Sequence, residues 1–203
     1  MLIMGFAPLM WCNAQSNEEE ATADGKLAYE PGKIYLNAGF TLLSRSLGPR
    51  LGAAWAGYNY NSTIPFIVSG EYGYNEAFSF GGFAGYRSYG WDYRIGDGRY
   101  EASHNRTAFG VRASYHYLPL LNDNFDFGAD LEKFDFYVTL LLGMNITSAR
   151  TVIPERTTTE TDVGGIFGPI FGFRYMLNHN IGVYAEGGYG SMGYGNLGVS
   201  LKF

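Results

Sequence analysis

Where the charges fall against a two-residue period constrains this chain more than any other feature. From Lys33 onward, apolar residues alternate with small or polar ones, the pattern of half-buried strands. Ile34, Leu36, Ala38, Phe40 and Leu42 alternate with Tyr35, Asn37, Gly39 and Thr41. The same beat runs through residues 66–74, 78–87, 106–117, 136–146, 167–175, 182–189 and 196–203, which makes eight segments. Glu71, Arg87, Arg112, Arg174, Glu186 and Lys202 all occupy the small, polar face, and Asp135 joins them at a strand start. No charge sits on the aromatic and aliphatic face.

Segments of about 9–12 residues match tilted strands that cross a bilayer. Eight is the smallest even number of strands that closes an outer-membrane barrel. Closure is obligatory there, because lipid offers no partner to an open edge. A Lys or Arg on the lipid face near the midplane costs about 2–4 kcal/mol, so the charged face must line the interior. A soluble lipocalin-like barrel has the reverse arrangement. The competing fold, a soluble two-sheet sandwich with polar outer faces, leaves the export signal and aromatic rim described below without a reason. The 29 glycines among 203 residues supply small interior positions in a lumen that eight strands only just fill. Helix formers are thin, which argues against a helical bundle. The net charge of −5 carries no nucleic-acid footprint. The expected fold is all-β: an eight-stranded antiparallel up-and-down transmembrane β-barrel.

The N-terminal region reads as an address. Residues 2–11 are apolar, and Cys12-Asn13-Ala14 before Gln15 resembles a signal-peptidase site with small residues at −3 and −1. No Lys or Arg precedes it, so the reading places the true start a few residues upstream. Acylation of Cys12 would need a small residue before it, and Trp11 is bulky. The expected division is a signal peptide over 1–14, a polar flexible leader over 15–32, and the barrel over 33–203.

The strand ends add a girdle. Tyr74, Tyr117, Tyr175 and Phe203 close the second, fourth, sixth and eighth segments on the apolar face. Antiparallel order brings those ends to one rim, where an aromatic belt belongs. The stretches VSGEYGYNEAFSFGGFAGY (68–86), GVRASYHY (110–117), NIGVYAEGGYG (180–190) and LGVSLKF (197–203) resemble the small bacterial outer-membrane barrels of OmpA, OmpX and OmpW type. The resemblance covers residues 33–203. It implies an outer-membrane location, contact with membrane lipid, and a C-terminal strand (Leu197, Val199, Leu201, Phe203) read by the barrel-assembly machinery. Two features depart from it. Residues 118–132 are long for a periplasmic turn, and Pro169 inside a strand should mark a bulge or the outer end of the membrane-crossing part.

With Phe203 on the periplasmic rim, the outward connections are 44–63, 92–103, 149–162 and a tight one near 191–194. The first holds Trp55, Tyr58 and Tyr60, and the third should continue its hairpin beyond the membrane. The first three are the expected surface for an extracellular partner. Ser103-His104 with Asp92, Asp97 or Glu101 could in principle build a catalytic rim, and His116 and His179 lack metal-ligand spacing. Neither enzyme activity, metal nor cofactor is expected. The reading is a barrel with a side-chain-filled polar lumen and a structural or surface-interaction role. The alternatives are a narrow channel or carrier for small or hydrophobic solutes and, more remotely, an outer-rim lipid-modifying enzyme. Glu71, Arg87, Arg112, Asp135, Arg174, Glu186 and Lys202 are expected to form one paired lumen network.

Overall fold

The computed structural model describes residues 27–42, 59–95, 98–125, 128, 130–154, 156–189 and 192–203. The elements are β1 (Ile34–Thr41), β2 (Asn59–Ser62), β3 (Phe66–Gly73), β4 (Phe78–Ile95), β5 (Gly98–His116), α1 (Leu118–Phe125), β6 (Phe134–Ile153), β7 (Arg156–Met176), β8 (Ile181–Gly188) and β9 (Gly195–Lys202). Each of β3 to β9, in the order β3-β4-β5-β6-β7-β8-β9, pairs antiparallel with the next. β1 joins β3 to β9 through registers such as Tyr35↔Glu71 and Tyr35↔Lys202, closing a ring of eight strands. The short β2 falls inside the connection 44–63 and pairs with β4 beyond the end of β3. Trp55 and Tyr58 lie outside the described residues.

The ring is inside out. The outward residues of β1, β3, β8 and β9 are exposed and apolar, while Tyr35, Asn37, Ser69, Glu71 and Ser200 face a closed interior. Val111, Leu142, Phe167 and Phe171 on the other strands are 58%, 59%, 66% and 63% exposed. Such a continuous apolar exterior faces lipid rather than water. No described helix is long and apolar enough to cross a membrane.

Strand lengths differ from the expected uniform 9–12 residues. β1, β3, β8 and β9 have 8 residues each, whereas β4 to β7 have 18, 19, 20 and 21. Segment 92–103 is therefore largely ladder rather than loop, with Asp92 opposite Glu101, and 149–162 continues its hairpin as expected, with Ala149 opposite Glu160. The reason is physical. Beyond the bilayer both faces of a hairpin meet water, so the apolar alternation stops while backbone pairing continues.

The rim where β1 begins and β9 ends, called the lower rim here, has compact turns. Asn75 Oδ1 accepts the N–H groups of Ala77 and Phe78 at 3.0 and 2.8 Å, and Asn178 Oδ1 does the same for Asn180 and Ile181. The long connection 118–132 holds α1, with Pro119 in its first turn, where a missing N–H costs nothing. Pro169 pairs with Leu140 in a β6–β7 register that runs on without a bulge. The β7–β8 ladder stops one residue away, at Ile170↔Gly188. Gly188, at φ 151°, turns β8 off there, so no partner strand needs a proline N–H.

Candidate functional site

Period two sends Glu71 from β3, Ser79 from β4, Arg112, Ser114 and His116 from β5, Asp135, Tyr137 and Thr139 from β6, Arg174 from β7 and Glu186 from β8 into the lower lumen. All of these are buried. Arg112 bridges two carboxylates: its Nη2 lies 2.7 Å from Glu186 Oε1 and its Nε 3.1 Å from Glu71 Oε1. It also donates to Ser69 Oγ at 3.0 Å and Thr139 Oγ1 at 3.2 Å. Arg174 donates to Asp135 Oδ2 at 2.8 Å, and its guanidinium lies 4.6 Å from the Tyr35 ring centroid and 5.2 Å from that of Tyr137. Tyr137 donates to Glu186 Oε1 at 3.1 Å. Its ring occupies space at Gly172 that a Cβ there would fill, which is why that position carries no side chain.

Asp135, His116 and Ser79 form a line, with contacts of 2.8 Å at Nδ1 and 3.0 Å at Nε2. It resembles a catalytic triad by spacing alone. Ser79 donates to Glu71 Oε2 at 2.9 Å, and Ser114 donates to the same oxygen, so the Ser79 proton points away from the imidazole. An activated nucleophile needs the opposite direction. The imidazole is also covered: the Tyr29 ring stacks on His116 with centroids 3.5 Å apart.

Tyr29 belongs to a strap that corrects the expected flexible leader over residues 27–32. Ala28 and Tyr29 are buried, and Ala28 N–H donates to the Leu131 carbonyl at 2.8 Å. The Tyr29 hydroxyl lies 2.8 and 2.7 Å from the carbonyls of Asn75 and Phe78. Burial first, then the charges of Asp135 and Glu71, push this phenol above its ordinary range. Lys202 Nζ meets Glu30 Oε1 at 2.8 Å and the Leu27 carbonyl at 2.6 Å. Lys202 therefore anchors the strap and is not a member of the central network. A strap of a few polar and aromatic residues has no period, so nothing in its sequence announces the docking.

Above the network the lumen turns apolar. Ile67, Phe83, Ala108, Leu141, Ile166, Ile170 and Met192 form one buried cluster. Met192 comes from the connection between β8 and β9, which brings a thioether into the lumen from above. Arg87 lies higher still, opposite Arg106 on β5, and does not join Glu71, Arg112, Asp135, Arg174 and Glu186. Alternation gives a residue's face but not its height, and Arg87 sits just beyond the last β3–β4 pair, Phe66↔Tyr86.

Tyr74, Tyr117, Tyr175 and Phe203 lie at the lower rim, at the ends of β3, β5, β7 and β9. Tyr74 and Phe203 are 69% and 61% exposed, and Tyr117 and Tyr175 are half-buried. Each of the three tyrosines has an aromatic neighbour: Tyr74–Phe80 at 6.0 Å, Tyr117–Phe136 at 6.2 Å and Tyr175–Phe134 at 5.2 Å. Leu197, Val199 and Leu201 face outward from β9, between β8 and β1. The candidate catalytic rim is not assembled. Ser103 and His104 are consecutive in β5, so their side chains leave on opposite faces. His104 stacks on Tyr89 instead, with centroids 4.9 Å apart, and Asp97 lies outside the described residues.

No protein-family model matches the sequence, and no curated protein matches it either. Solved structures do. Ail, the attachment invasion locus protein of Yersinia pestis, in complex with the heparin analogue sucrose octasulfate, is 12% identical and matches 86% of this chain and 100% of its own, with TM-score 0.53. The outer membrane protein OprG of Pseudomonas aeruginosa is 14% identical over 86% of this chain and 97% of its own, with TM-score 0.45. The N-terminal β-barrel domain of Pseudomonas aeruginosa OprF is 12% identical over 85% and 98%, with TM-score 0.42. A closed ring of eight strands with a charged lumen, an apolar exterior and an Ail-like course over most of its length has the fold of the small outer-membrane β-barrels.

Proposed function

We propose that this protein is an integral outer-membrane barrel with a sealed lumen, whose work is structural or is done by the wall that rises above the ring. One observation carries the reading: the lumen is filled at three successive levels. The strap covers its lower end, the Arg112–Glu71–Glu186 and Arg174–Asp135 network crosses it, and the Phe83–Leu141–Met192 cluster lies above. In planar bilayers the protein should show no steady conductance. A large, stable open channel would replace this reading with the channel or carrier. The belt and the outward residues of β9 support assembly through the C-terminal strand. Replacing Phe203 with Asp should therefore reduce insertion more than Phe83→Ala, although Phe83 is the buried one of the two.

A further inference from the structure

Arg87 and Arg106 stand directly opposite each other on β4 and β5. Like charges at directly opposed ladder positions repel. Both belong to the inward-facing sets of their strands, Phe83, Gly85, Arg87 and Tyr89 on β4 and Arg112, Ala108, Arg106 and His104 on β5. They stand just above the level at which β3 begins at Phe66, over the apolar floor that includes Phe83 and Met192.

Among the described residues, neither arginine enters an ion pair. The Nε of each is buried without a hydrogen-bond partner, as it is in Arg112 and Arg174, so the carboxylates are what separates the two pairs. The carboxylate on the same ladder row, Asp162, is exposed and lies one strand beyond Thr147, the β6 partner of Arg106. Arg112 and Arg174, lower in the same barrel, each have a carboxylate within 2.8 Å. Aromatic rings rise above the pair. The Arg87 guanidinium lies 5.3 Å from the Tyr89 ring centroid, Tyr89 stacks on His104, and Trp91 lies 5.6 Å from His104.

We propose that Arg87 and Arg106 form an oxyanion site at the upper mouth, which takes a phosphate or sulfate group carried on a saccharide. Two guanidinium forks match the oxygen geometry of such a group and supply charge-assisted hydrogen bonds. A bound dianion removes the repulsion that the bare ladder carries. Tyr89, His104 and Trp91 offer ring surface to the sugar beside it. The oxyanion can belong to a glycolipid of the same membrane or to a soluble glycan, and the side-chain chemistry is shared. The site deepens the surface-interaction reading and rests on it.

The test uses the full barrel in detergent, titrated with inorganic sulfate and with a sulfated disaccharide. It then uses the barrel in phosphatidylcholine vesicles with and without a phosphorylated glycolipid. Arg87→Gln or Arg106→Gln should weaken binding about tenfold or more each, and the double variant should abolish it. Trp91→Ala should weaken the disaccharide and leave inorganic sulfate unchanged. Without anion, Arg106→Gln should melt no lower than wild type. With anion, only wild type should gain thermal stability, a readout that a merely structural arginine would not move. Binding of the soluble disaccharide assigns the source to a glycan, and a response confined to glycolipid vesicles assigns it to the membrane. Wild-type binding of none of these probes overturns the site, as does undiminished binding by the double variant. Equal loss in Lys133→Gln, an exposed cation at the opposite rim, overturns it too. A barrel that stays non-conducting yet binds no anion refutes this site alone. A conducting barrel refutes the sealed lumen and leaves the arginine comparison to stand or fall separately.

Discussion

Arg112 and Arg87 are both inward-facing arginines on long neighbouring strands, and their surroundings are opposite. Arg112 lies inside the closed ring, is 2% exposed and touches two carboxylates, Glu71 and Glu186. Arg87 stands above the ring, half-buried, facing another arginine. The difference follows from strand length. Where all eight strands are present, the side chains are buried, and a cation without a carboxylate would be costly. Where β1, β3, β8 and β9 have ended, solvent reaches the wall formed by β4 to β7, and an unpaired guanidinium becomes tolerable. Local dielectric, set by which strands reach a given height, decides what a charge at an inward position does.

The contrast can be broken at its strong end first. Arg112→Ala strands two buried carboxylates and should lower unfolding stability by about 3–5 kcal/mol, measured by thermal or denaturant unfolding in detergent. Adding Glu71→Gln and Glu186→Gln should restore part of that loss. A single-variant loss below about 1 kcal/mol would show that lumen water screens the network and would erase the contrast. Next, Gly172→Ala should cost about 1–3 kcal/mol, because the new methyl meets the Tyr137 ring. The cost should shrink in a Tyr137→Ala background, and a double-mutant cycle with no coupling would contradict the contact.

The strap sharpens the comparison at its lower border. Tyr29→Phe removes a hydroxyl poised on two carbonyls and should cost about 0.5–1.5 kcal/mol at neutral pH. Its pH dependence has a definite sign. The folded phenol titrates higher than a free tyrosine, so its contribution is complete below the ordinary value near 10. It is lost as pH climbs from there through the raised folded value. Thermal stability should therefore decline with alkalinity, and Tyr29→Phe should show less of that decline. Smallest of all, Arg87→Gln should change stability by no more than about 0.5 kcal/mol, as at positions outside the core that have no ion-pair partner. A loss like that of Arg112→Ala would mean that the upper wall is as dry as the ring.

Much of the barrel is legible in the sequence. Glu71, Arg112, Asp135, Arg174 and Glu186 read as interior because strand alternation is a local property of the backbone, independent of the partner. Their pairing was not legible. Arg112 meets Glu186 across the lumen, 74 residues along the chain, and that meeting depends on how strand registers add up around the ring. Tyr29 and Glu30 carry no periodic signal, and their roles appear only once the strap lies under the barrel beside Lys202. Segment 92–103 read as a loop because hydrophobicity reports solvent, not hydrogen bonding, whereas the β-prone threonines of 149–162 did announce a continuing hairpin.

The amino-acid order alone therefore determined the number of ring strands, which face of each meets lipid and which charges go inside, because all three follow from period two and the cost of a charge in hydrocarbon. Height and partner were decided only in three dimensions. Arg87 and Arg112 obey the same alternation, and only the ring's registers put one beside two carboxylates and the other opposite Arg106 at the mouth.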